Sequence, residues 1–573
     1  MPSSASPNRG KQVPLEEAVS ACLKPGMTLY AGYGTNAILR EVLRQYAGSR
    51  PEFTLVMPAL SLMAINLLHA GLVRKLITAY AGAGSYPGTS PSPVVQALCK
   101  DNRLIVENWS LLSLTQRLMA GALNLPYLPT RSIAGTTMEV ENPDAFVRLD
   151  DPFAPGQSVG VVKALTPDLA LMHGWASDRD GYTITAPATN SGKDVWGAKA
   201  SHGGTLITVE RIISAERMRR HAGLVTLPGP LVTRVSETPL GAHPEAMISL
   251  GLRGTQPYEH DTAFVRDHKR ASSAAERLTN WLQEWVHCGT HDDYLDKLGG
   301  DRIAALVSKP QRRQTRRPQP FRGRVACQPI ERMVLAATTE IERLVERYGF
   351  SILLTGVGTP ALAGWLARDR LRRKGHAIEL LTGSGFVGYA PRPGNPFLFS
   401  AFTLESARML TEPLDAHGVF AGGGAGRCLT VLNAAQLDRF GNLNSTITAD
   451  GTYLVGSGGA NDAALAAHVL VLMRQSRQCF VDSLPYVSTP GARVGTVISD
   501  LGLWKKRLEE DEITLTHFHP IPGAETAEEA VRQICDQCGW EPKIAPELAR
   551  YDTPTERQIG CLRRLDPEGL VLK

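Results

Sequence analysis

The segment ELLTGSGFVGYAPRP, residues 379–393, decides how the fold is read. Ile378, Leu380 and Leu381 lead into Gly383-Ser384-Gly385, and Gly388 and two prolines follow. A short apolar run halted by glycines predicts a buried strand whose carboxyl end opens into a loop. In open α/β sheets ligands bind at that end of the strands, which makes the loop a candidate site.

The same grammar recurs at the start of the chain. Leu15, Ala18, Val19, Cys22 and Leu23 repeat at helical spacing, and Pro25-Gly26 ends that helix. Residues 27–31 predict a strand entering Gly32-Tyr33-Gly34-Thr35-Asn36, with a helix beyond it capped by Thr35 or Asn36. Strand, glycine loop and helix N-terminus present free N–H groups to an anion or oxyanion, so Gly32, Tyr33, Gly34 and Asn36 are candidate substrate contacts. Many α/β proteins carry such a loop only to make the turn. Strands at 53–57, 75–81 and 103–106 and a helix at 60–70 continue the alternation, a parallel-sheet pattern. AGAGSYPGTSP (81–91) is a second candidate ligand loop, and strand 103–106 closes on Glu107-Asn108-Trp109-Ser110.

The chain also repeats itself. Aligning His173 with Asn433 places Asp178, Arg179 and Gly181 on Asp438, Arg439 and Gly441 at one constant offset. Each copy follows an apolar strand and leads into a glycine turn. The first glycine loop has its counterpart in Thr355-Gly356-Val357-Gly358-Thr359-Pro360. Two homologous halves are therefore predicted. His173, inside an apolar strand, reads as a satisfied core histidine, and Asn433 with Asp438-Arg439 as a structural turn with a salt bridge.

Several of these segments resemble the class I CoA-transferases, in the glutaconate-type branch. QRLMAGALNLPYLPTRSIAGT (116–136) is similar to that family's AGALGLPFLPTR segment. LDRFGNLNST (437–446) is similar to its VDRYGNVNTT, GSGGAND (456–462) matches its glycine-rich loop, and PYVSTPG (485–491) its late segment. The resemblance implies an α/β fold of two homologous open CoA-transferase-type domains with the active site between them. Its α-like half would span 13–305 and its β-like half 326–573, with a disordered tail at 1–12 and a linker at 306–325. It also implies coenzyme A, as a thioester substrate, held by Gly456, Gly458, Gly459 and Asn461, no metal, and a homo-oligomer (a dimer) of fused chains.

In that family the strand matching residues 379–382 leads into Glu-Ser-Gly-x-x-Gly. Here Ser384, Gly385 and Gly388 match, while Gly383 stands at the glutamate. The missing residue is the nucleophile that becomes a glutamyl-CoA thioester, and glycine has no atom to take its part. Glu379 lies about 13 Å back along an extended chain and does not reach. Ser384 is adjacent, but as a nucleophile it needs a base that the nearby sequence does not supply. Glycine-loop donors around 32–34, 383–385 and 456–459 would survive the loss and still polarise a thioester carbonyl. Of the relatives of this kind that lack the glutamate, one group decarboxylates a CoA ester and another hydrolyses a carbon–carbon bond in a ring of one, with an α-half carboxylate as base. That precedent makes Glu107 the leading catalytic carboxylate, a helix-capping role being equally compatible with its position. Arg131 faces either a substrate carboxylate or a helix terminus. The expected activity is decarboxylation, hydrolysis or C–C cleavage of an acyl-CoA. The alternatives are genuine CoA transfer and a catalytically inactive CoA-binding scaffold.

Composition narrows the rest. The 573 residues exceed what one core holds, and no apolar run is long enough to span a bilayer. The polar start lacks a secretory apolar segment, and nine scattered cysteines make no disulfide framework, so a reducing cytoplasm is the expected compartment. Cys535 and Cys538 form a CxxC without the second pair a zinc site wants. The net charge of +5 gathers between Lys309 and Arg324, where prolines discourage helix and no aromatic platform accompanies the arginines. That run reads as a solvated linker, with no nucleic-acid partner.

Overall fold

The computed structural model describes residues 10–84, 89–185, 195–248, 251–252, 254–313, 326–506, 511–520, 524 and 526–572. In the first half, β1 (Thr28–Ala31), β2 (Phe53–Val56), β3 (Val73–Thr78), β4 (Ile105–Asn108), β5 (Leu169–Ser177), β6 (Thr205–Ile212) and β7 (Val232–Glu237) line up as β7-β6-β5-β1-β2-β3-β4. All of these neighbours pair in parallel. The second half supplies β8 (Ile352–Thr355), β9 (Glu379–Leu381), β10 (Cys428–Leu432), β11 (His468–Leu472) and β12 (Val494–Ile498) in the parallel order β12-β11-β10-β8-β9. That order repeats β7-β6-β5-β1-β2 strand for strand.

Each sheet is apolar on both faces because helices cover both. Leu29 and Leu55 enter one cluster with Val19 and Ile38, while Tyr30 and Val56 enter another with Trp109 and Leu114. Leu353 and Leu380 pack against the helix Pro329–Tyr348, and Leu354 and Leu381 against the opposite face.

The predicted repeat is visible atom by atom. Asp178 Oδ1 accepts from the N–H groups of Asp180 and Tyr182, and Asp438 Oδ1 from those of Phe440 and Asn442. Gly181 (φ 91°) and Gly441 (φ 82°) each close the turn in the left-handed region that favours glycine. The salt bridge expected at this turn runs from Arg439 to Asp482.

Two expected boundaries move. Glu107 lies inside β4, since that strand runs on to Asn108. The helix Gly300–Arg313 continues through Pro310 into the first residues assigned to the linker. Leu306, Ile303 and Val307 pack against a buried cluster with Trp175 and Tyr258, and the proline, near the helix end, costs one hydrogen bond. The rest of the basic run, 314–325, lies outside the described residues, as do 85–88 of the second glycine loop and most of the expected tail. Among the described residues no helix is long and apolar enough to cross a membrane.

Candidate active site

The loops leaving the carboxyl ends of strands in both halves enclose a cavity of about 560 Å³. Tyr33 and Tyr80 reach it from the first half, and Thr355, Gly383 and Asn433 from the second. The halves are clamped beside it. Asp462 accepts from the Leu112 N–H (2.9 Å) at the start of the helix Leu111–Ala122 and from Ser132 Oγ (2.5 Å). Tyr453 OH donates to Asn108 Oδ1 at 2.9 Å, and the N–H of Gly458 to Ala79 O at 2.8 Å.

Position 383 carries the most telling geometry. Its backbone is outside the left-handed region, so nothing in φ demands glycine. A Cβ added there would stand 2.9 Å from Nε2 of His417, and one added at Gly459 would stand 2.6 Å from the same atom. The imidazole thus fills the place where a side chain at 383 would begin. His417 lies on the wide helical turn Leu414–Ala421, is 1 % exposed, and lines the cavity. Among the described residues neither ring nitrogen has a hydrogen-bond partner of normal geometry. Burial pushes its pKa down, opposed by the Asp462 charge and the Gly383 backbone, so the ring is neutral near pH 7.

Glu245 of the first half lines the same cavity. Among the described residues its buried Oε2 has no donor, and Asn36 Oδ1 is likewise a buried acceptor without one. Burial pushes the carboxyl up to about 7, against hydrogen bonds from the Gly34 N–H and the Asn36 side chain. A proton on the carboxyl is what these orphan acceptors lack.

The residues singled out from sequence divide. Tyr33, Gly383, Ser384, Gly456, Gly458 and Gly459 line the cavity. Ser384 Oγ pairs with Thr382 Oγ1 at 3.0 Å, so the structure gives this hydroxyl no base. Gly32 faces Met172, where a Cβ would come within 2.5 Å of the sulfur. The Gly34 N–H is spent on Glu245, and Asn36 Nδ2 on Ala242 O at 2.8 Å, so this loop is no open oxyanion cradle. Gly385 (φ 94°) sits tight against Thr411, making the turn. Asn461 is buried behind the loop, bonded by Ser457 and facing Asp462 and Ser132. The N–H groups of Gly456 and Gly458 are spent on Ser445 O and Ala79 O, leaving the loop as a wall whose one side chain, Ser457, turns its hydroxyl to Asn461.

Glu107 does not line the cavity. Its carboxylate accepts from Lys75 Nζ (2.6 Å), Arg117 Nη1 (2.8 Å) and Trp109 Nε1 (2.7 Å). Burial pushes its pKa up, but those bonds and the Arg117 charge outweigh burial and hold it below the ordinary value. Strand alternation sets this orientation: Asn108 turns toward Tyr453 of the second half, so Glu107 turns away. Arg131 reaches Gly422 O at 3.3 Å, and His173 is bonded through both ring nitrogens, to Thr208 and Glu210. Sequence reasoning passed over His417 and Glu245. Both are isolated in sequence, and only Gly383, itself singled out, pointed toward the place where His417 lies.

Comparisons with known proteins agree with this architecture. Residues 13–238 match the family model "Coenzyme A transferase". One of the glutaconate CoA-transferase polypeptides of Acidaminococcus fermentans is 28% identical over 266 residues, 43% of this chain and 77% of that protein. A 3-oxoadipate CoA-transferase polypeptide of Pseudomonas knackmussii is 27% identical over 38% of this chain and 86% of its own length. The crystal structure of the acyl-CoA transferase YdiF from Escherichia coli O157:H7 superposes with a TM-score of 0.65 at 17% identity, over 95% of each chain, a likeness of fold.

Proposed function

The chain belongs to the coenzyme A transferase family, and on that premise we propose that it acts on an acyl-CoA thioester in the cavity between its halves without a glutamyl-CoA intermediate. Hydrolysis, decarboxylation and C–C scission are the reactions in view. One observation carries this: the imidazole of His417 occupies the start of the side-chain path at 383, on a backbone that would accept a side chain. The cavity therefore offers a neutral base where covalent transfer wants a carboxylate. Glu245, neutral below about pH 7, adds a hydrogen-bond donor from the first half. The loop 456–459 gives the pantetheine arm a wall in which Ser457 is the one side chain, and its glycines are the proposed CoA contacts.

Trapping tests the proposal. The protein incubated with acetyl-, butyryl-, octanoyl- and benzoyl-CoA should keep its intact mass unchanged, hydroxylamine and borohydride should capture nothing, and release of thiol marks hydrolysis among the three reactions. A coenzyme A adduct on an acidic side chain would restore transfer chemistry. Binding of CoA with no turnover of any thioester would leave a scaffold.

A further inference from the structure

We infer that His417 is the general base of this cavity and that it acts on water, so that the acyl-CoA is hydrolysed at its thioester bond; the inference rests on the proposed function and deepens it. Three independent features single out this side chain. It is almost wholly buried, it lines the cavity, and neither ring nitrogen has a hydrogen-bond partner of normal geometry among the described residues. A buried polar group left unpaired costs about 1–3 kcal/mol, which a ligand hydrogen bond at the site would recover. The other cavity histidines have spent theirs. His260 Nε2 faces Phe399 O at 3.2 Å, and His268 faces Asn66 Oδ1 at 2.8 Å and Ser272 Oγ at 3.2 Å. Space for the imidazole is made on two sides by Gly383 and Gly459.

The chemistry follows from a neutral ring. His417 takes one proton from water as the water oxygen bonds to the acyl carbon and the carbonyl electron pair moves onto oxygen. The C–S bond then breaks, the pair returns to form the carbonyl, and the imidazolium protonates the departing thiolate. One water is consumed, a carboxylic acid and free coenzyme A leave, and His417 returns to its starting state. Decarboxylation of a thioester requires no proton to be taken from a nucleophile and would leave this base idle. Of the charged and titratable groups around the ring, Asp462 acts on it from its own side. Glu245, His260, His268, Lys269 and Tyr80 share the cavity.

The test uses the full chain with the same thioester panel, a colorimetric thiol reagent, and water enriched in oxygen-18. One labelled oxygen should enter the product acid. His417→Gln and His417→Ala should lower kcat by at least about 100-fold. Both should keep the affinity for free coenzyme A measured by calorimetry, and free imidazole should restore part of the rate to His417→Ala. The wild-type pH–rate profile should lose activity on its acid side below the ordinary histidine pKa, and that limb should vanish in the variants. Full turnover in His417→Gln with CoA still bound would overturn the assignment while leaving the function standing. An unlabelled product would overturn hydrolysis, and a protein that neither binds CoA nor turns over a thioester would overturn the function itself. Should both variants lose their fold, diethyl pyrocarbonate on the wild type decides. Modification of His417, mapped by mass spectrometry, must abolish turnover and be blocked by CoA, and unchanged turnover after modification refutes the role.

Discussion

At position 383 the backbone would accept a side chain and a neighbouring ring refuses it. Gly383→Glu alone should therefore form no coenzyme A adduct and lose about 1–3 kcal/mol of stability through overpacking. Combined with His417→Ala it regains room, and intact-mass measurement after incubation with an acyl-CoA should then show the glutamyl thioester. An adduct in the single variant would mean that the imidazole yields readily. Glu245 makes a separate prediction. Its carboxyl is held near 7 in the folded state and near the ordinary value of 4.5 when unfolded. A raised carboxyl keeps its proton in the folded state, so this group's share of stability is complete below pH 4.5 and is lost as pH rises through 7. The loss approaches about 3 kcal/mol. Glu245→Gln should flatten that window and melt above wild type at pH 8. Parallel pH dependence in the two proteins would place the proton elsewhere.

Elements meet at two helix starts beside the cavity. The helix Leu111–Ala122 begins at Ser110, whose hydroxyl accepts from the Ser113 N–H, and its first turn donates to Asp462 of the other half. Asp462→Ala removes a buried carboxylate that satisfies a helix N-terminus and Ser132 together. It should cost about 3 kcal/mol in urea unfolding, since hydrogen bonds to charged groups are each worth about 1.5–3 kcal/mol. On the short helix Ala460–Ala463 the preceding residue Gly459 has φ −111°, an ordinary value for any residue. Gly459→Ala should thus fold normally yet push the imidazole aside, lowering thioester turnover by about 10-fold or more, within the range that base positioning commands. Unchanged kcat with unchanged melting would show that the ring moves without consequence.

At the scale of the whole molecule, the two halves are joined by side-chain pairs that complete one another's polar groups. Tyr486 OH donates to Glu141 at 2.6 Å and Trp196 Nε1 to Glu412 at 2.6 Å. Residues 1–313 and 326–573 produced as two chains should therefore co-purify in a one-to-one complex by light scattering and melt in a single transition; two independent melts would show that the linker alone holds them together. The duplication was legible in sequence because Asp178 and Asp438 make the same turn, whose hydrogen bonds are local to four residues. The strand ends were legible because apolar runs and glycines report local conformation. The glycine at 383 was legible as well, being a matter of one letter. What fills the space beside it was decided only by the tertiary structure. His417 lies 34 residues away, and Glu245 comes from the other half. Glu107 reads at the mouth of a loop because the strand is expected to close at residue 106; it runs on to Asn108, and only what Asn108 meets in the other half settles which way Glu107 turns. Local propensity fixes elements through neighbours in the chain, whereas a cavity is made by groups that share no neighbours until the sheets close over them.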